Sequence, residues 1–213
     1  MQVCEGIHAI LWRSYVDNNC NTYLIDNDKR ILIDPGHVRL LRHVETALHE
    51  LKMEISDIDV VIATHGHPDH IEGVEKFTPS ALFGMNGEEY NLLRQMAGRY
   101  IACPEPDFLL QEGELYLGAE EFAVLVTPGH SPASISLYWP KRKALFTGDV
   151  VFHQSIGRSD LPGGDGTKLK ESIQQLSALD VDYLLPGHGE IVQGKDAVQE
   201  NFRKIKDYWF RYL

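Results

Sequence analysis

The chain has 213 residues, 43% hydrophobic and 24% charged, enough to bury a core as one domain over 1–213, in proportions that exclude a disordered, collagenous or coiled-coil chain. No apolar run approaches the roughly 20 residues of a membrane-spanning helix, so no membrane partner is expected. Thirty-one acidic against 20 basic residues leave a net charge of −11, which disfavours a nucleic-acid partner because no basic surplus exists to displace counterions.

In chain order, residues 22–25 and 30–33 are short Val/Ile/Leu/Tyr-rich runs read as strands, joined by a tight turn at Asn27-Asp28. Leu41, Val44, Leu48 and Leu51 share one face of a helix, and 60–63 is a buried-looking strand. Directly after it comes Thr64-His65-Gly66-His67-Pro68-Asp69-His70, where Gly66 and Pro68 argue for a loop in place of a regular helix. Strands follow at 122–126, 134–139 and 144–146, the last two forming a hairpin whose tip, Pro140 to Lys143, reads as solvated. Leu169, Ile173, Leu176 and Leu179 line a second helix with Asp165 or Thr167 as its N-cap, and Val198, Phe202, Ile205, Trp209 and Tyr212 line a closing one. Strands interleaved with helices give an α/β class. Cys4, Cys20 and Cys103 are odd in number and widely spaced, and Met-Gln-Val-Cys-Glu-Gly-Ile-His lacks the basic and apolar regions of a signal peptide. Thiols in a reducing cytoplasm are expected, without a disulfide framework.

The chemistry concentrates in loops that follow strands. His65, His67, Asp69 and His70 place three imidazoles and a carboxylate within six residues, a ligand set for zinc, iron or manganese. Shuffling this composition produces that pattern only about 0.0015 times per chain. Three further strand ends repeat the design: Thr127-Pro128-Gly129-His130, Thr147-Gly148-Asp149 and Leu185-Pro186-Gly187-His188 each aim one donor from a rigid strand. Seven donors exceed the four of a closed zinc site, which implies two neighbouring divalent ions with Asp149 as the natural bridge.

His65-x-His67-x-Asp69-His70, then His130, Asp149 and His188 in that order, closely resemble the metallo-β-lactamase superfamily. The resemblance implies a four-layer αββα sandwich. It also implies that His65, His67 and His130 hold one ion, that Asp69, His70 and His188 hold the other, and that Asp149 bridges. Ile31-Leu32-Ile33-Asp34-Pro35-Gly36 resembles the family's earlier strand motif, whose Asp supports the ligands from behind, although Asp34 is equally readable as a turn aspartate. Class B lactamases usually carry Cys where Asp149 stands, which disfavours antibiotic hydrolysis. The run from Phe146 to Asp165, with Ile156-Gly157-Arg158-Ser159-Asp160 at its centre, is most similar to the glyoxalase II branch in a short form. Only 25 residues follow His188, too few for a helical glutathione-binding region.

The resemblance therefore implies a hydrolase of acyl thioesters of the S-lactoylglutathione type with two divalent ions per chain, zinc first and iron or manganese as alternatives. Asp69 would ligate and orient the attacking water, and Arg158 would meet the substrate's carboxylate unless it is simply paired with Asp160. His153 reads better as a rim residue than as an acid. The substrate partner is a small-molecule thioester, and the chain is expected to be a monomer or small homo-oligomer. A mononuclear iron persulfide dioxygenase using His65, His130 and Asp149 is the rival reading, ahead of a lactonase, a phosphodiesterase or a non-catalytic scaffold on the same fold.

Overall fold

Runs of Val, Ile and Leu without polar alternation form strands buried on both faces: Ile31, Leu32 and Ile33 are each at most 1% exposed. The computed structural model describes residues 1–14, 16–96 and 103–213, which fall into two units, Met1–Leu110 and Gln111–Leu213.

The first unit is built on a seven-stranded sheet in chain order: β1 (Gln2–Cys4), β2 (Ile7–Ile10), β3 (Thr22–Asp26), β4 (Arg30–Ile33), β5 (Val60–Ile62), β6 (Leu82–Asn86) and β7 (Phe108–Leu110). The strands are antiparallel up to β4 and parallel from β4 to β7. Parallel neighbours need crossovers, and helices α1 (Arg42–Glu50), α2 (Pro68–Ile71) and α3 (Gly87–Met96) lie within them. Val44 and Leu48 of α1 pack with Leu24, Leu32, Val61 and Phe83 in one core cluster.

Two local expectations change here. Asp26 pairs with Arg30, so three residues, not two, connect β3 to β4. Pro68 does not keep its segment out of a helix; it begins one. It occupies the first turn of α2, where its missing N–H would have no intrahelical partner anyway and its fixed φ suits helical entry.

The second unit carries a six-stranded sheet in the order β15-β14-β11-β10-β9-β8. Its elements are β8 (Gly113–Leu117), β9 (Glu120–Val126), β10 (Ile135–Trp139), β11 (Ala144–Gly148), the small pair β12 (Val151–Phe152) and β13 (Ser155–Ile156), α4 (Gly166–Leu176), β14 (Tyr183–Pro186), β15 (Val192–Gln193) and α5 (Lys195–Trp209). Leu169, Ile173 and Leu176 of α4 and Val198, Phe202 and Ile205 of α5 join Leu145 and Leu184 in its core. Asp165 is the N-cap of α4, accepting from the Lys168 N–H at 3.1 Å. The last expected member of the α5 stripe, Tyr212, lies past the helix end and is exposed.

The β10–β11 hairpin tip is not simply solvated. Lys141 bonds the buried Glu120 at 2.7 Å, Arg142 lies over the Trp139 ring, and Lys143 pairs with Asp180 at 2.6 Å. All three cysteines are thiols, as expected. No helix among the described residues is long and apolar enough to cross a membrane.

Asp180 also pairs with Lys195 at the start of α5. Hydrogen bonds from Lys143 and then Lys195 hold its carboxyl down to about 2 from an ordinary 3.8. An acid held lower in the folded than in the unfolded chain stabilises the fold above its unfolded pKa, and that contribution fades as pH falls through the folded one. The urea-midpoint difference between wild type and Asp180→Asn is therefore expected to be small, because the pair is exposed. It should be constant above about pH 4 and vanish near pH 2.

Candidate functional site

The first unit supplies one cluster of donors. Asp34 follows β4 with φ of 53°, a left-handed conformation uncommon outside glycine, and its carboxylate is buried. One oxygen accepts the Thr64 backbone N–H at 2.8 Å; the other accepts the Thr64 hydroxyl at 2.7 Å and His70 Nδ1 at 2.9 Å. Asp34 thus supports His70 directly and His65 through Thr64, and is not a mere turn residue.

These bonds fix tautomers. The Thr64 hydroxyl donates to Asp34, so it accepts from His65 Nδ1 at 3.1 Å, leaving the lone pair of His65 on Nε2. His70 gives its Nδ1 proton to Asp34 and likewise keeps a lone pair on Nε2. His65 Nε2 and His67 Nδ1 face each other at 3.1 Å. Two nitrogens bound to one tetrahedral zinc stand about 3.3 Å apart, so the pair is spaced as two ligands of one ion. Ligand atoms of His65 with His70, and of Asp69 with His70, lie within 4.8 Å.

Two supporting residues carry no signal in the motif itself. Asn18 Nδ2 donates to Asp69 Oδ2 at 2.6 Å. Glu89 in α3, 2% exposed, accepts the Gly66 N–H at 3.0 Å and so pins the turn between His65 and His67. Both come from distant segments, and only the fold reveals them.

The second unit supplies the other donors. His130, Asp149 and His188 follow β9, β11 and β14, and the parallel pairing of β11 with β14 brings Asp149 and His188 to the same end of the sheet. Asp149 Oδ2 lies 3.3 Å from His188 Nε2 and 3.5 Å from His130 Nε2. His130 donates from Nδ1 to the Arg158 carbonyl at 2.8 Å, so its Nε2 lone pair is the atom turned toward Asp149. A neutral His130 thus sets a lone pair against a carboxylate oxygen, a repulsion that a cation between them relieves. That donor chemistry fits a divalent ion.

Gly157 is required for this arrangement, since a Cβ there would sit 1.7 Å from the Asp149 carbonyl oxygen. The Arg158 side chain is exposed and makes a bidentate pair with Asp160, both bonds 2.9 Å; Asp160 raises the guanidinium pKa and is itself lowered by Arg158. Phe152 stands edge-on to the His188 ring, centroids 5.8 Å apart. His153 is exposed beside Gln154.

The family model of the Metallo-beta-lactamase superfamily matches residues 15–188, spanning both units. A probable metallo-hydrolase of Methanocaldococcus jannaschii is 35% identical over 187 residues, 80% of this chain and 88% of its own. A hydroxyacylglutathione hydrolase of Haemophilus influenzae is 34% identical over 188 residues, 80% of this chain and 85% of its own. Among solved structures, BLEG-1, a B3 metallo-beta-lactamase, aligns with a TM-score of 0.73 at 31% identity, covering 95% of this chain and 97% of that one. The α/β architecture matches the fold of these proteins.

Two substitutions separate the supports. Asp34→Ala removes the acceptor for His70 and Thr64 and should weaken metal retention about 10–100-fold, read by competition with a chromogenic chelator. Gly157→Ala should likewise lower bound metal by displacing Asp149 or the carbonyl that holds His130. Retention matching wild type in either variant contradicts the role given to that residue.

Proposed function

Because the chain belongs to the metallo-beta-lactamase superfamily, we propose that its two donor clusters serve one hydrolytic centre that holds two divalent ions and cleaves an acyl thioester of the S-lactoylglutathione type. Family membership makes it a metallo-hydrolase; the substrate and the metal count are the inferred part. In this reading residues 1–213 work as one domain. His65, His67 and His130 hold one ion, Asp69, His70 and His188 hold the other, and Asp149 bridges. The observation that carries the metal count is Asp149, whose Oδ2 faces imidazole nitrogens from His130 and His188. The relative from Haemophilus influenzae named as a hydroxyacylglutathione hydrolase supports the substrate. The imidazole and carboxylate donors favour zinc and accommodate iron or manganese.

Two divalent ions, when bound, bring the pKa of a water toward neutrality and polarise the substrate carbonyl. Asp69 accepts a hydrogen bond from the attacking water and turns its lone pair toward the carbonyl carbon. Asp34 and the Arg158 carbonyl keep His70 and His130 in the tautomers that present Nε2. The leaving thiol has a pKa near 8.5 and departs as thiolate without a proton donor, whereas an amine leaving group must be protonated. This asymmetry favours a thioester over an amide in a site whose acids and imidazoles are already committed as ligands. Arg158 meets the substrate carboxylate, exchanging part of its bond to Asp160 for the new one. The partner is a small molecule, with neither nucleic acid nor membrane involved, and the protein works in the cytoplasm as a monomer or small homo-oligomer.

Purified protein reloaded with zinc, iron or manganese should hydrolyse S-lactoylglutathione with two ions per chain by elemental analysis, and Asp69→Ala should lower kcat at least about 100-fold. Faster turnover of a β-lactam than of any thioester would move the assignment toward the B3 lactamase it resembles. One iron per chain with oxygen uptake on glutathione persulfide would replace hydrolysis with dioxygenation.

A further inference from the structure

Asn18 belongs to none of the ligand motifs. It lies in the connection between β2 and β3, 51 residues from Asp69, yet its side-chain amide donates to Asp69 Oδ2 at 2.6 Å, just below the usual N–H···O range. We propose that Asn18 is a positioning residue for Asp69, fixing the rotation of the carboxylate so that it meets the ion it shares with His70 at one set angle. This rests on the dinuclear reading above.

The chemistry of the pair supports that role. The terminal torsion of an aspartate is broad and roughly two-fold, so a donor on one carboxylate oxygen selects among its orientations. An amide donates without bringing charge. A lysine or arginine in its place would oppose a dication nearby.

Hydrogen bonds tie the residues on either side of Asn18 to other parts of the unit. Trp12 Nε1 donates to the Asp17 carbonyl at 2.8 Å, and the indole stands edge-on to the His43 ring. Arg39 bonds the Asp17 carboxylate at 2.8 Å. On the other side, Asn19 Oδ1 accepts the His37 N–H at 2.8 Å. Asn18 is therefore flanked by two tethered neighbours, one tied to Trp12 and Arg39 and the other to the chain just after Asp34.

The test compares Asn18→Ala and Asn18→Leu, which remove the donor, with Asn18→Gln, which keeps one. Each is purified in full length, stripped, and titrated with zinc against a chromogenic chelator; urea midpoints are taken on the stripped protein, and kcat and KM on the reloaded one. Loss of the donor should weaken retention of one of two zinc ions about 10–100-fold. The other ion and the stripped-protein midpoint should stay unchanged, kcat should fall with KM within about two-fold of wild type, and Gln should restore part of the retention. Retention within two-fold of wild type in both Ala and Leu would overturn the proposal. So would a loss of retention that tracks a lowered midpoint, since Asn18 would then be structural only. Zinc retention is read without substrate. A wild type that holds two ions but leaves S-lactoylglutathione intact would defeat the substrate assignment and leave the Asn18 comparison standing; a wild type that holds one ion would defeat both.

Discussion

The buried carboxylate of Asp34 is the constraint on which the first cluster depends. An ionised group this far from water is tolerable only when its lone pairs are satisfied, and three donors converge on it: the Thr64 N–H, the Thr64 hydroxyl and His70 Nδ1. Because the Thr64 hydroxyl is committed to Asp34, it turns its own lone pair to His65. One carboxylate therefore sets the protonation pattern of two imidazoles, and with it the direction in which each offers a lone pair. The backbone at Asp34 adopts a conformation unusual for a non-glycine residue, and the bonds it makes are what hold it there.

The second cluster solves the same problem differently. Its orienting acceptor for His130 is a main-chain carbonyl, that of Arg158, delivered through Gly157, where no side chain can be accommodated. Sheet pairing does the coarse positioning, since β11 and β14 run parallel and end together, and the glycine-linked turns after each strand do the fine aiming. Both arrangements follow a general pattern for metal ligands: the ring nitrogen that does not face the ion is spoken for by a fixed acceptor.

Only local signals can be read from the sequence, and not all of them: β1, β2, β6, β7, β8 and α3 are not marked by the runs above. Apolar runs located the strands from 22 to 33 and from 122 to 146 to within two residues, and the 3.6-residue periodicity located α1, α4 and α5, because those signals depend on neighbours in the chain. The donor-rich loop stood out for the same reason. The helical character of Pro68–Ile71 is hidden in the sequence because a proline marks a first helical turn as readily as it breaks a helix. Asn18 and Glu89 gave no local signal, as each acts on a residue from another segment. The tip cations at 141–143 looked solvated in sequence because their partners, Glu120 and Asp180, are brought to them by the sheet and by the approach to β14.

The hydrogen bond from His130 to residue 158 has an implication for how such a protein could diverge. The bond uses the carbonyl of that residue, which every amino acid possesses, while the side chain projects outward into solvent. The two ends of this residue thus serve different partners, the carbonyl an imidazole and the guanidinium Asp160. Exchanging the outward group leaves the imidazole behind it with its anchor, so this position is open to change from one side only.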